Sequence, residues 1–171
     1  RTTMSHKLGG GTAFLIKEPF TLCSSTSPIY SSFEASSITL KLSSSNLTVC
    51  NVYRRPSSSL HSPPLSVFFD EFHHFLTSAA TTPHEFLIFG DFTFHVSTPL
   101  NPSASQFLTL LDSFNLTQHV TFPTHIHGHT LDLLITSQAS SLSPQISTQS
   151  WSPSDQWRHY IGPLRARTPS G

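Results

Sequence analysis

The sequence predicts a layered α/β fold with α+β features, and three observations carry that prediction. Two runs of alternating apolar residues flank a polar turn, which reads as a β-hairpin. One stretch repeats its apolar residues at helical spacing over several turns. Short apolar runs then alternate with a second helical pattern, and no internal repeat appears. Strands and helices therefore share one layered core, unlike an all-β sandwich.

Gly9-Gly10-Gly11 precedes Thr12 to Ile16, an apolar run predicted as a buried strand that Pro19 ends. From Phe33 the chain alternates, with Ile38, Leu40 and Leu42 on one face. After the turn Ser43-Ser44-Ser45-Asn46, the next run places Leu47, Val49, Asn51 and Tyr53 on one face. Arg54-Arg55-Pro56 ends that strand, and a Ser/Pro-rich loop runs to Pro64. Ser62 is predicted as a helix N-cap, with Pro63 and Pro64 in the first turn. Leu65, Phe68, Phe69, Phe72, Phe75, Leu76 and Ala79 then form a wide apolar face. An aromatic stripe at this spacing is core, and His73 and His74 fall on its flank.

Phe86 to Phe89 reads as a short buried strand. Ser103 to Phe114 reads as a second helix, with Phe107, Leu108, Leu111 and Phe114 inward. Thr130 to Thr136 reads as another apolar strand, with Asp132 inside it. The Ser/Gln/Pro-rich tail from Ser137 is weakly patterned. Residues 161–171 are expected to be disordered, which places the domain at 1–160.

The chain has 171 residues, enough for one domain with a real core. Charged residues are 11% and the formal net charge is zero, which excludes a protein that grips DNA by overall charge. Eleven histidines add positive charge only at mildly acid pH. Cys23 and Cys50 form no disulfide framework and read as small apolar residues of a reducing compartment. No apolar run is long enough to cross a membrane, and no secretory signal is present, so an intracellular protein is expected. The chain opens on Arg1 in place of Met, as a fragment would.

In the stretch FLIFGDFTFH the apolar run Phe86 to Phe89 ends at Gly90 and meets Asp91 at once. Polar groups at the carboxyl ends of strands line the ligand crevice of open α/β sheets. Asp132 lies between Leu131 and Leu133, so it needs a partner or an opening to water. Asp155 follows an irregular segment. Separate strand ends that each offer an Asp suit a hard divalent cation.

Taken in order, GGGTAFLI, VYRRP, GDFTFH, THIHGHTLDLLIT and SPSDQ resemble the endonuclease/exonuclease/phosphatase superfamily. More narrowly, the chain is similar to the apurinic-type endonuclease domain of non-LTR (LINE-like) retrotransposons. The resemblance runs from Gly9 to Asp155 and includes LTLLDSFNLTQHVTFPTH. It implies a four-layered sandwich of two mixed sheets back to back, with helices outside and the site at one edge. It also implies Mg²⁺-dependent cleavage of a DNA phosphodiester, weak DNA binding here, a reverse transcriptase domain in a longer parent and a nuclear location. On the matching positions, Asp91 orients or deprotonates the attacking water and Thr93 stands where the family's Asn places it. Tyr53 approaches the phosphate, Asp132 orients the catalytic His, and Gln156 stands in that His position. Asp155 and Asp91 are the implied metal ligands, and Asn51 is a neighbour one face-step from Tyr53.

The chain departs from the family pattern in three ways. The family's first strands carry an Asn and a metal-binding Glu, and nothing before Gly9 supplies them; Glu18 and Glu34 come too late in order. Thr93 lacks the separate donor and acceptor arms of an amide. Gln156 cannot be protonated, and His159 is three residues away. An acid–base group contributes roughly 10²–10⁴-fold and a transition-state donor roughly 10²–10³-fold, so a poor nuclease is expected. Missing first strands are expected to expose a sheet edge and leave the Phe-rich helix partly bare.

Three alternatives compete. His119, His125, His127 and His129 crowd a short span, and three imidazoles on one side of a strand could hold Zn²⁺. A non-catalytic interaction remnant of the same fold would keep the scaffold and lose the site. A phosphatase would share GDF and the Ser-Asp-His triplet, whereas the segment PTHIHGHTLDLLIT favours the retrotransposon branch.

Overall fold

The computed structural model describes residues 11–56, 62–97, 101–125, 127–143 and 165–166. Strands β1 (Thr21–Thr26), β2 (Phe33–Lys41) and β3 (Asn46–Arg54) lead to helix α1 (Leu65–Ala80) and strand β4 (Glu85–Asp91). Helix α2 (Pro102–Ser113), then β5 (Leu116–Gln118) and β6 (Asp132–Ser137), complete a six-stranded mixed sheet of order β1-β2-β3-β4-β6-β5. Only β3 and β4 run parallel, joined through α1; every other neighbouring pair is antiparallel. A separate ribbon pairs β7 (Leu142–Ser143) with β8 (Arg165–Ala166), so two residues of the expected tail are paired.

The α/β class and the mixed sheet stand, and the described residues build one helix–sheet half of the expected layers. The hairpin follows the alternation: Lys41 pairs with Asn46, and Leu42 N–H donates to Ser45 O at 2.8 Å across the turn. Ile38 and Leu40 lie opposite Val49 and Leu47, so both apolar rows share one face of the sheet.

The first face carries the main core. Phe33, Ala35, Cys50, Val52, Phe86, Ile88, Leu133 and Ile135 meet the apolar sides of α1 and α2 there. The Phe-rich helix is covered, contrary to the expectation that it lies partly bare: Phe72 is 0% exposed and stacks with Phe75 and Phe107. The reason is that α1 packs on β2, β3, β4 and α2, all of which this chain supplies itself.

Helix α1 starts at Leu65, not with the prolines in its first turn. Pro64 is the N-cap, in an extended conformation, and Ser62 Oγ instead donates to Pro56 O at 3.0 Å. A residue that precedes proline is pushed out of the helical region, so neither Ser62 nor Pro63 can join the helix. Helix α2 starts one residue earlier than its pattern suggested, because Asn101 Oδ1 accepts the amides of Ser103 and Ala104. Its buried side is Ala104, Phe107 and Leu111, with Phe114 half-buried; Leu108, expected inward, is exposed.

The second face is thinner. Leu47, Leu87, Val120 and Leu134 cluster there, joined by Val49, Phe89 and Phe122. Residues 12–16, expected as a buried strand, pair with no strand among the described residues; Leu15 is fully exposed at 101%. The alternation is nonetheless used. Thr12 Oγ1 accepts from Ser36 Oγ at 2.7 Å, Ala13 O accepts from Asn51 Nδ2 at 3.4 Å, and Phe14 meets Phe89 edge to face at 6.0 Å. Ser36, Asn51 and Phe89 are register partners across β2, β3 and β4, so the segment crosses that row of the second face. A turn at Glu18–Pro19 then leads to β1, whose six residues are all exposed at the sheet's edge.

Candidate active site

Strand register brings separately predicted residues together. Tyr53 pairs with Asp91 between the parallel strands β3 and β4, and Asp91 pairs with Asp132 between β4 and β6. On the other side Tyr53 pairs with Glu34 of β2. Cross-strand partners project to the same face. Glu34, Tyr53, Asp91 and Asp132 therefore form one row over four neighbouring strands, on the second face, at the carboxyl ends of β3 and β4. The next row inward is Ser36, Asn51 and Phe89.

Each member is placed by its local chemistry. Asp132 is the first residue of β6 and not an interior one, which removes the cost of a carboxylate within a buried strand. Thr124 Oγ1 accepts the amides of both Leu131 and Asp132 at 3.0 Å, and Phe92 N–H donates to Leu131 O at 3.0 Å. These bonds turn the chain into β6 with Asp132 at the strand mouth. Gly90 precedes Asp91 at φ 147°, and a Cβ there would sit 1.8 Å from Val52 O. Only glycine lets β4 approach β3 so closely at this point.

Beyond Asp91 the chain bends sharply. Thr93 is left-handed at φ 53°, a conformation that a β-branched residue adopts at a cost of order 1–3 kcal/mol. Two contacts hold it: its amide donates to Asp91 Oδ1 at 3.0 Å, and its Oγ1 accepts from Arg54 Nη1 at 2.6 Å. Arg54 was read from sequence only as the end of a strand, and it is the main residue the sequence reading missed. It is buried on the first face, 4.5 Å from the Phe94 ring centroid and 5.0 Å from that of Phe68. Its Nη1 also donates to Phe92 O at 3.3 Å. Burial lowers the guanidinium's pKa, and the carboxylate of Asp91 opposes that shift. The doubled arginine in VYRRP was the available signal: alternation sends Arg54 to the helix face and Arg55 to the face of Tyr53.

Glu34, set aside in sequence as out of order for a metal ligand, stands in the row and is bound to Arg55 Nη2 at 3.2 Å. Mg²⁺ commonly takes one or two carboxylates and keeps the rest of its shell for water and phosphate. Asp91 and Asp132, side by side, fit that donor set. Among the described residues, no three His, Cys, Asp or Glu side chains converge as metal ligands. Ser154, Asp155, Gln156 and His159 lie outside the described residues.

The histidines do not form the expected one-sided strand. Around them the chain turns, and the Thr124 and His125 amides both donate to His129 O at 2.9 Å. His129 stacks on His95 at 4.0 Å, whereas His125 and His127 lie 4.9 Å apart. His119 is elsewhere, bonded to Thr136 Oγ1 at 2.8 Å. Gly128 forces the turn, so His125, His127 and His129 cannot share a strand face. Burial, with His129 and His125 close by, lowers the pKa of His95.

No protein-family model matches the sequence, and no curated protein matches it. Among solved structures, an endonuclease/exonuclease/phosphatase family protein from Leptotrichia buccalis matches with a TM-score of 0.50 and 10% identity, over 73% of this chain and 52% of that one. The human Nocturnin catalytic domain with bound sulfate anion has a TM-score of 0.47 and 16% identity, over 74% and 51%. D. rerio TDP2 complexed with a single-strand DNA product has a TM-score of 0.48 and 8% identity, over 74% and 58%. The chain spans about half the length of these structures. The likeness is one of fold: the sheet and its helices are arranged as in the Leptotrichia protein.

Proposed function

We propose that this chain is part of an apurinic-type DNA endonuclease domain of the kind found in non-LTR retrotransposons, with little turnover. The observation that carries the reading is the row of Tyr53, Asp91 and Asp132 in direct register at one end of the sheet. Three motifs separated in sequence deliver these side chains to one row, at the strand ends where open α/β sheets bind ligands. A second observation supports it. Thr93 occupies a left-handed position, which asparagine adopts far more readily than threonine. The backbone after Asp91 suits the Asn that the resemblance places there.

In this reading Asp91 accepts a proton from water, the water oxygen bonds to phosphorus, and the bond to the sugar oxygen breaks, that oxygen leaving with the electron pair and taking a proton from solvent. The Tyr53 hydroxyl donates to a phosphate oxygen. Asp91 and Asp132, with Asp155 as the resemblance implies, would hold Mg²⁺, which would neutralise phosphate charge when bound. Glu34, in the same row, is paired with Arg55. The missing Glu and the loss of a protonatable group at Gln156 account for the low turnover.

Nicking of supercoiled plasmid tests the reading. The expected result is slow nicking that needs Mg²⁺, stops with EDTA and is lost in Asp91→Ala. Nicking that survives Asp91→Ala would sink it. A folded chain that never nicks would favour a non-catalytic remnant of the same fold.

A further inference from the structure

The geometry points to Arg54 as a positioning residue that fixes the Asp91–Thr93 turn and commits the Thr93 hydroxyl to donate its own proton to a different acceptor. This rests on the endonuclease reading for its consequence in catalysis, but not for its geometry. A guanidinium can only donate. In the 2.6 Å contact Thr93 Oγ1 must therefore be the acceptor, and its own proton is left for an acceptor on another side. Arg54 Nη1 also holds Phe92 O at 3.3 Å, the carbonyl of the peptide that joins Phe92 to Thr93. The two bonds grip the turn from the core side. On the opposite side the Thr93 amide binds Asp91 Oδ1 at 3.0 Å, which sets the orientation of that carboxylate. One buried cation thus constrains both the base and its neighbour.

The placement of Arg54 makes the grip rigid. Phe68 and Phe94 flank the guanidinium, so it cannot swing away without leaving the aromatic core. Both bonds leave one nitrogen, Nη1, which is held in place because the planar guanidinium lies against the Phe68 and Phe94 rings; lysine has no planar group to hold there and a different reach, so Arg54→Lys keeps the charge and loses the geometry. The role assigned to Thr93 is that of a donor, made from a hydroxyl whose oxygen is already engaged by the arginine beneath it.

Two readouts test this. The first is a double-mutant cycle in plasmid nicking with Arg54→Lys, Thr93→Val and both. Each single change is expected to lower the rate by about 10²-fold, the usual loss for one transition-state donor. The double variant is expected to lose no more than either single, because both remove the same donor. Thr93→Ser, which keeps the hydroxyl, is expected to retain most of the rate. Losses that multiply in the double variant would overturn the proposal and leave Arg54 as core packing alone.

The second readout does not depend on activity. In Arg54→Lys, hydrogen exchange at the Thr93 amide is expected to accelerate at least tenfold, while the Ile88 amide inside β4 keeps its rate. Where Arg54→Lys folds poorly, Thr93→Val cuts the same contact at its acceptor and is read against the exchange of the Phe92 and Thr93 amides. Unchanged Thr93 exchange in a folded Arg54→Lys overturns the proposal. If the parent chain does not nick DNA, the endonuclease reading fails while the exchange result still decides the role of Arg54.

Discussion

The two faces of the sheet differ in how they are completed. On the first face, α1 and α2 seal an aromatic core in which Phe68, Phe72 and Phe107 are almost wholly inaccessible. On the second face a smaller apolar cluster lies beside the row Glu34, Tyr53, Asp91 and Asp132, and an unpaired segment crosses it. Apolar burial is concentrated on one face and the row of carboxylates and tyrosine on the other. The division is physical: a carboxylate row needs water and counter-charges, which an aromatic core excludes. Arg54 is the link, a first-face residue whose hydrogen bonds set a second-face turn.

The largest effect is expected on the first face. Phe72 contacts the rings of Phe33, Phe68, Phe75, Phe92 and Phe107. Phe72→Ala leaves a large cavity among rings that cannot all collapse, so a loss of about 3–5 kcal/mol is expected in urea unfolding. A loss below about 1 kcal/mol would show that this face is not the main core. Gly90→Ala should come next. Its left-handed φ alone costs about 1–3 kcal/mol, and the added methyl must force Val52 away from β4. Nicking should fall with stability, because Asp91 follows directly. Full stability in Gly90→Ala would contradict the close approach of β3 and β4.

A pH prediction concerns how the first-face helix is tied down. Burial tends to raise the carboxyl pKa of Glu71 on α1, but hydrogen bonds from Ser31 and Ser32 outweigh it and hold it below its usual value. Ser32 Oγ and Ser31 Oγ donate at 2.6 and 2.8 Å, and both backbone amides also donate. A carboxylate with a lowered folded pKa stabilises fully above the usual glutamate value, about 4.3. That contribution is lost as pH falls through the lower folded value. Glu71→Gln should thus be less stable than the parent at pH 7, by about 1 kcal/mol given its exposure. The gap should narrow as pH falls below the usual glutamate value and close once pH is below the folded value; a gap that does not narrow in acid would mean that charge is not the cause.

Most of the scaffold was legible because its signals are local. The hairpin, both helices and the strand before Asp91 follow from period and turn chemistry. Tyr53, Asp91 and Asp132 were each found by motif, and register then placed them in one row. Glu34 was passed over because its place in the row depends on pairing with β3, which order along the chain does not reveal. Arg54 was missed for a related reason: a buried cation between two Phe rings is a tertiary fact, and VYRRP shows only that one arginine of two must face inward. The error at Thr12 to Ile16 is also physical. An alternating run can lie half-buried on a sheet face without joining a ladder, and alternation alone does not tell the two apart.

That last distinction yields the smallest and most local prediction. If residues 12–16 lie on the second face through one side only, alternate positions must respond differently. Phe14 meets Phe89 edge to face, a contact worth about 0.5–1.5 kcal/mol beyond the area it buries. Leu15 next to it is fully exposed. Phe14→Ala should cost about 1 kcal/mol in urea unfolding, and Leu15→Ser should change stability by less than about 0.5 kcal/mol. The pair also separates two ways of covering this face. In a ladder strand facing a second layer, Leu15 would be inside and its loss would cost as much as that of Phe14. Equal losses at the two positions would therefore mean that the segment packs on both sides in solution. A loss at Phe14 alone would mean that the second face is closed only where the segment touches Ser36, Asn51 and Phe89. The carboxylate row one pleat further along would then remain open to a phosphate.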